Sequence, residues 1–302
     1  MELKTLTIDG QKSGPHLLIL AGVHGDEFEP MAAVRQLAKV LLPEELKGRV
    51  TLVPVVNEEA FLRGARCAGD GLDLARTCPG KANGSYTEQV AFAVSALIKT
   101  ADYLIDLHTG GNVMSLFPLA GYTLHSDIKV LSLQRRMARA FNLPLIWGSD
   151  PNLNGRTLSV ARDHNIPAIY AEWKGGGGCQ PDGVRDYVDG CLNVMGALDM
   201  IERKQPQSRI EKIVEEDFDG AGLLTGDYLS PFDGLFEAAV SLWDDVEEGS
   251  LVGTVSDILG ENVAQIKSTQ RGKVLCLRVF AKVSEGDSLC HVLDTNNVTI
   301  AK

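Results

Sequence analysis

The chain has 302 residues, of which 44% are hydrophobic and 23% are charged, with 40 acidic residues against 29 Lys and Arg and a net charge of −11. This composition is that of a globular protein, and it excludes a chain that is disordered along its whole length. The negative balance argues against nucleic acid or an anionic membrane surface as a general partner.

The cysteines and the N-terminal segment indicate a cytoplasmic protein. The six cysteines are scattered and none forms a C-x-x-C pair, which is typical of reduced thiols rather than of a disulfide framework. The N-terminal segment lacks the apolar core of a signal peptide. No stretch approaches the ~20 apolar residues that a membrane span requires, so we expect no membrane partner.

Short apolar runs alternate with segments of helical periodicity over residues 1–205. The apolar run at 16–23 predicts a strand that is buried on both faces, and the segment 28–42 predicts a helix that stops at Pro43. Strands are likewise predicted at 50–56, 103–107, 143–147 and 168–173, and helices at 86–99, 128–141, 157–164 and 184–203. This alternation predicts an α/β fold with a mostly parallel, mixed sheet that has helices on both faces.

A different pattern follows a polar linker at 204–212, where the helical periodicity ends. Glycines then separate short β-type runs, and the segment Val246–Gly249 recurs 37 residues later as Val283–Gly286. Each unit predicts strand, turn and strand, so the pair predicts a small barrel-like β domain that resembles the lipoyl or biotinyl hybrid barrel. We therefore predict a catalytic α/β domain at 1–205 and a β-rich domain at 213–302.

Two histidines and a glutamate follow predicted strands at one end of the sheet. His24-Gly-Asp-Glu27 comes directly after the first buried strand, and His108 comes directly after the strand at 103–107. Ligands of open α/β sheets bind outside the carboxyl ends of the strands, and catalytic zinc takes three protein ligands of these types. The sequence therefore predicts about one Zn²⁺ per chain at His24, Glu27 and His108, and the same donors also accept Co²⁺ or Mn²⁺.

Glu172 lies near the end of the predicted strand at 168–173, at the same edge of the sheet. A carboxylate beside a zinc-bound water can take its proton and then protonate the leaving amine. We therefore predict that Glu172 is the general base and acid. The alternative is a strand-end carboxylate that pairs with Lys174.

The chain contains the following motifs in order: His24-x-x-Glu27, Asn57-x-x-Ala60-Phe61, Arg66, Asp73-Leu-Ala-Arg76 with Pro79-Gly80, Asp106-Leu-His108 and Glu172. This joint pattern resembles the succinylglutamate desuccinylase/aspartoacylase family over residues 15–180. Members of this family are zinc hydrolases with a carboxypeptidase-like α/β fold followed by a β domain. The resemblance implies that Arg66 stabilises the developing oxyanion and that Arg76 and Asn57 contact the substrate, with Arg76 gripping a carboxylate through two bonds.

Three positions depart from the family pattern. Ala75 stands where asparagine is usual, Glu58 where proline is usual, and Cys78 where an aromatic residue is usual. These changes leave the predicted metal site intact but bear on the specificity for the substrate. Arg156 and Arg162 precede the Glu172 strand and are further candidates for a substrate contact, and their spacing does not select between them.

Together these features predict a zinc-dependent hydrolase that cleaves the amide bond of a small N-acylated amino acid or a related carboxylate-bearing amine. A metallocarboxypeptidase that acts on a peptide C-terminus would use the same sheet and ligands, and it would need a cleft that the β domain does not cap. A non-catalytic binding protein on the same fold is the third alternative. The sequence leaves open the acyl group, the amine and whether the chain forms a homo-oligomer.

Overall fold

The computed structural model describes residues 1–224 and 226–294 and the backbone of residues 299–300. The first eight strands are β1 (Leu6–Asp9), β2 (Lys12–Leu20), β3 (Lys47–Val53), β4 (Tyr103–His108), β5 (Met114–Leu116), β6 (Leu119–Thr123), β7 (Leu145–Ser149) and β8 (Ala168–Glu172). The helices are α1 (Phe28–Val40), α2 (Glu58–Arg63), α3 (Tyr86–Ile98), α4 (Ile128–Phe141), α5 (Thr157–Asp163) and α6 (Pro181–Ala197), with a 3-10 turn at Leu74–Arg76. The later strands are β9 (Lys212–Glu215), β10 (Tyr228–Leu229), β11 (Gly234–Ala238), β12 (Asp245–Val246), β13 (Leu251–Ser256), β14 (Val263–Lys267), β15 (Gly272–Arg278), β16 (Lys282–Val283), β17 (Ser288–Asp294) and β18 (Thr299–Ile300).

Nine strands form one mixed sheet in the order β1-β3-β2-β4-β8-β6-β7-β9-β18. The strands β3, β2, β4 and β8 run parallel to one another, and β6 runs antiparallel to β8. Beyond this reversal, β6, β7 and β9 are again parallel to one another. The predicted α/β class with a mixed sheet is confirmed.

The helices cover both faces of this sheet. Along β2, Leu17 and Ile19 join the apolar core that includes residues of α1, α4 and α6, whereas Leu18 and Leu20 join the core that includes residues of α3 and α5. All four leucine and isoleucine side chains are fully buried, as expected for a central parallel strand. Among the described residues, no helix combines the length and the apolar character that crossing a bilayer requires.

Strands β1, β5, β6 and β9 and helix α2 were not predicted, and β6 shows why. Its sequence, Leu119–Thr123, contains Gly121 and has neither a long apolar run nor strict alternation. Gly121 pairs with Tyr170 of β8, and a Cβ at Gly121 would lie 2.3 Å from the Tyr170 ring. The strand is therefore defined by a partner that is distant in sequence, and no local pattern could reveal it.

The two units of the C-terminal repeat exchange their short strands. The long strands of each unit pair with each other, β11 with β13 and β15 with β17. The short strand β12 of the first unit pairs with β15, and β16 of the second pairs with β11, so that Val246 faces Gly272 and Val283 faces Gly234. Equivalent residues of the two units thus make equivalent contacts, and both small sheets contribute to one apolar core.

The predicted boundary between residues 205 and 213 does not coincide with a boundary between the large sheet and the two small C-terminal sheets. Strand β9 lies on the C-terminal side of that boundary, yet it pairs with β7 and extends the large sheet. Conversely, β5 pairs with β15, and the rings of Phe117 and Trp243 stack with their centroids 3.9 Å apart. The division into a catalytic domain at 1–205 and a barrel-like domain at 213–302 remains a prediction.

Candidate active site

His24, Glu27 and His108 meet at the carboxyl ends of two adjacent parallel strands. His24 lies in the loop after β2, Glu27 directly precedes α1, and His108 is the last residue of β4. One donor atom of each residue lies within 4.8 Å of the others. The three residues are 3%, 1% and 8% exposed. The structure therefore brings the three predicted metal ligands together in a buried cluster.

Glycines and a helix cap shape the loop that carries His24. Gly22 has a φ of +64°, a conformation that favours glycine. A Cβ on Gly25 would lie 2.0 Å from the carbonyl carbon of Ala60, so only glycine allows α2 to approach the loop this closely. The Asn57 side chain caps α2 by accepting the backbone N–H of Ala60 at 3.2 Å.

Asn57 lies beside the predicted site and does not line its cavity. Its side chain is fully buried and is not among the residues that line the cavity described below. Its backbone N–H donates to the carbonyl of Gly22 at 2.8 Å, which ties the start of α2 to the loop of His24. Asn57 therefore positions the loop, and its contact with the substrate stays a prediction.

A second carboxylate holds each histidine. Nε2 of His24 lies 3.1 Å from Oδ1 of Asp73, and Nε2 of His108 lies 3.1 Å from Oδ2 of Asp106. The Nδ1 atoms of the two histidines instead face the carboxylate of Glu27, at 2.7 Å and 3.0 Å. A carboxylate on the far nitrogen fixes the tautomer and the orientation of a metal-binding histidine. Both Nδ1 atoms are therefore oriented to bind an ion together with Glu27.

The electrostatics of the cluster favour a cation between these groups. Burial would raise the pKa of Glu27, but His24 and His108 outweigh this effect and hold the pKa far below its ordinary value. Burial opposes a positive charge on His108, yet Asp106 and Glu27 raise the pKa of this histidine well above its ordinary value. The cluster thus attracts positive charge, and two histidines with a glutamate are a known ligand set of catalytic zinc. The residues present fit the metal that the sequence implies.

Glu172 ends β8, directly opposite His108 of the neighbouring parallel strand. Its Oε2 atom is buried and has no hydrogen-bond partner in the described part of the chain. Burial raises the pKa of Glu172 to about 8, with His108 lowering it and Glu27 raising it. A carboxyl group that titrates near neutral pH is suited to accept a proton and to return it.

A cavity of about 640 Å³ opens onto this cluster, and Glu172, Arg66, Arg76 and Arg156 all line it. Arg66 donates to Oδ2 of Asp73 from Nε at 3.2 Å and from Nη2 at 3.0 Å. Its Nη1 lies 3.9 Å from Oε1 of the predicted metal ligand Glu27. Arg66 is therefore held in place by Asp73 beside the predicted metal ligands.

Arg76 and Arg156 carry positive charge in the cavity that the described residues do not neutralise by an ion pair. Arg76 donates to the carbonyl of Ala75 at 2.8 Å, and burial together with the neighbouring Arg76 lowers the pKa of Arg156. Arg162, in contrast, donates to the carbonyls of Pro151 and Leu153 and lies outside this cavity. The structure therefore selects Arg156 over Arg162 as a residue that can meet an anionic group.

The catalytic-domain model of the succinylglutamate desuccinylase/aspartoacylase family matches residues 13–198, which is more than half of the chain. The chain belongs to this family. It is also 28% identical over 296 residues to N-alpha-acetyl-L-2,4-diaminobutyric acid deacetylase of Halomonas elongata, with 96% of this chain and 85% of that protein covered. Family membership and this relative support a hydrolase that cleaves amides.

Solved structures extend the likeness beyond the matched catalytic segment. The crystal structure of a succinylglutamate desuccinylase/aspartoacylase from Rhodobacter sphaeroides superimposes with a TM-score of 0.84 at 26% identity, covering 95% of this chain and 88% of that chain. The product-bound ectoine utilization protein EutE (DoeB) from Ruegeria pomeroyi gives a TM-score of 0.86 at 24% identity, covering 95% of this chain and 87% of that chain. Because nearly the whole chain is covered, the shared fold includes the C-terminal strands.

Several site residues of this family member were missed by sequence reasoning. Asp73 and Asp106 stand in the family motifs, but their contacts with the histidines were not predicted. Asp106 lies two residues before His108 and therefore on the same face of β4, a signal that strand alternation provides. Leu224 and Cys276 also line the cavity. Nothing in their spacing could have revealed this, because they lie far from the other site residues in sequence.

We expect Asp106→Asn to weaken zinc binding by about 10- to 100-fold, because the amide no longer offers the His108 N–H a charged acceptor. Competition with a chromogenic chelator measures the affinity. Asp102→Asn is the control, since Asp102 is exposed and accepts the backbone N–H of His16 rather than a metal-ligand side chain. Equal zinc affinities of the wild type and Asp106→Asn would contradict the positioning role.

Proposed function

We propose that this family member is a zinc-dependent hydrolase that removes the acyl group from a small N-acylated amino acid or a related carboxylate-bearing amine. One observation carries the proposal: a single cavity joins the cluster of His24, Glu27 and His108 to the unpartnered carboxylate oxygen of Glu172. The family and the deacetylase relative support the same reaction class.

The cluster residues have separate roles in this proposal. His24, Glu27 and His108 would hold the zinc, which when bound supplies Lewis acidity toward the substrate carbonyl and lowers the pKa of a water molecule. Glu172 takes the proton of the attacking water and returns it to the leaving amine. Arg66, held by Asp73, stabilises the negative charge that develops on the carbonyl oxygen.

The arginines and the C-terminal strands favour a small anionic substrate. Arg76 and Arg156 are free of ion pairs within the described residues and can hold a carboxylate, for which the guanidinium fork is well shaped. Leu224 and Cys276, from the C-terminal part of the chain, form one wall of the cavity. This wall favours a small N-acyl amino acid over the C-terminus of a long peptide.

Turnover by the zinc-loaded protein tests this function. The substrates are the N-acetyl derivatives of L-2,4-diaminobutyrate and L-aspartate, N-succinyl-L-glutamate, and short peptides with a free C-terminus, and the released amine is measured. We expect hydrolysis of N-acyl amino acids and none of the peptides. Cleavage of peptides alone would favour the metallocarboxypeptidase, and no turnover of any compound would favour the binding protein.

We expect Arg156→Ala to raise KM by about 10- to 100-fold with a smaller change in kcat, because a hydrogen-bonded charge contact with the substrate is lost. Arg156→Lys should recover part of the loss, since it restores the charge but not the fork. Arg162→Ala is the comparison, as Arg162 braces the loop at 151–154 outside the cavity. A larger rise of KM in Arg162→Ala than in Arg156→Ala would contradict the assignment.

A further inference from the structure

The lining of the cavity contains two chemically different groups of residues, and the reaction described above explains only Arg76 and Arg156, which we call the basic end. The second group is apolar: Met114, Leu116 and Cys276 form a small cluster against which Leu224 packs. All four residues line the cavity, and we call them the apolar pocket.

The apolar pocket is assembled from three separate segments. Leu116 of β5 and Cys276 of β15 are directly paired across antiparallel strands, and Met114 pairs with Arg278 two residues further along. Leu224 comes from the segment that follows β9. Two of the three segments therefore belong to the C-terminal part of the chain, which thus shapes the cavity.

The apolar pocket lies beside the strand that carries the proposed proton shuttle. The backbones of Leu116 and Lys174 exchange two hydrogen bonds, at 3.1 Å and 3.3 Å, and Lys174 follows Glu172 by two residues. The side chains of Met114, Leu116 and Leu224 carry no charge and no strong hydrogen-bonding group. A carboxylate in the apolar pocket would be desolvated without a partner, which costs free energy. A methylene group would instead gain free energy by leaving water.

We propose that the apolar pocket binds the acyl group, so that the substrates are amino acids with an uncharged aliphatic N-acyl chain longer than acetyl, such as butyryl. This inference rests on the proposed function, because it places the scissile amide between the basic end and the apolar pocket. Each added methylene should raise kcat/KM by about fourfold until the pocket is filled. A succinyl group, of similar length but charged at its end, should be disfavoured.

The test compares Nα-acetyl-, butyryl-, hexanoyl- and succinyl-L-2,4-diaminobutyrate, with kcat/KM measured on the zinc-loaded wild type. Binding of the same four compounds to zinc-loaded Glu172→Gln is measured by calorimetry, so the result does not depend on turnover. We expect butyryl to exceed acetyl by about tenfold or more in both series, and succinyl to rank below acetyl.

A matched pair of variants locates the effect. Leu116→Ala enlarges the pocket and should shift the preference from butyryl to hexanoyl by about fivefold or more. Leu275→Ala removes the same atoms from an adjacent position of β15 that is fully buried but does not line the cavity, and it should preserve the order of the wild type. Met114→Ala provides the same test if Leu116→Ala does not fold.

The outcomes separate this inference from the proposed function. If the succinyl compound has the highest kcat/KM, or if kcat/KM does not rise from acetyl to butyryl, the apolar pocket is contradicted and the proposed deacylase function is not. The apolar pocket is also contradicted if wild type, Leu116→Ala and Met114→Ala all show the same order of preference among the acyl chain lengths. Tighter binding of butyryl without turnover of any compound supports the pocket and overturns the deacylase.

Discussion

His108→Ala is expected to lose both the metal and the activity. The wild type should hold about one zinc per chain and the variant none. The value of kcat/KM should fall on the order of 10³-fold or more. The reason is the geometry of the cluster. Within the described part of the chain, two imidazoles face the carboxylate of Glu27, and removing one leaves Glu27 and His24 as the remaining donors of the set. Mass spectrometry of the metal content and steady-state kinetics measure the two quantities.

The control for this experiment is His164→Ala. His164 is exposed at the end of α5, where its Nδ1 lies 2.9 Å from the carbonyl oxygen of Val160, and it should retain zinc and activity. If the wild type contains no zinc even after incubation with the ion, the proposed metal site is contradicted. Family membership would then describe the fold of this chain and not its chemistry.

Glu172→Gln should lower kcat by about 10²- to 10⁴-fold while zinc remains bound. Glutamine preserves the shape of the side chain, but its amide cannot accept a proton from water or pass one to the leaving amine. The metal ligands lie on other strands and loops, so the cluster of His24, Glu27 and His108 should stay intact. Measuring kcat, KM and metal content on the same preparation separates loss of proton transfer from loss of the site.

Glu216→Gln is a matched control, because Glu216 is also a buried glutamate but accepts the indole N–H of Trp147 and lies outside this cavity. We expect its kcat to stay within about threefold of the wild type. Loss of zinc in Glu172→Gln would contradict the separation of roles and make Glu172 part of the metal site. An equal fall of kcat in both variants would point to a general effect of removing a buried carboxylate.

The helices and the central strands were predictable because their signals are local. Helix α4 spans Ile128–Phe141 as predicted from apolar spacing, with the Asp127 side chain accepting the N–H of Lys129 and Asn142 ending it in the left-handed conformation. Strand β2 was predicted from its continuous apolar run, although it begins earlier, at Lys12. Strand β5 is only three residues long, so it contains too few residues to show a period.

The amino-acid sequence by itself determined the fold class and predicted that three candidate metal ligands and Glu172 lie at one edge of the sheet. Each of these residues follows or ends a strand, and the carboxyl ends of neighbouring parallel strands meet at one edge of the sheet. Only the tertiary structure decided that Arg156 and not Arg162 faces the cavity, that Asn57 caps a helix, and that Cys276 helps to form the apolar pocket. The cavity positions of Arg156 and Cys276 depend on segments that are far apart in the chain, so no periodicity or spacing in the sequence reveals them. The Asn57 cap is a local contact, but it belongs to a helix of six residues that is too short to show a period.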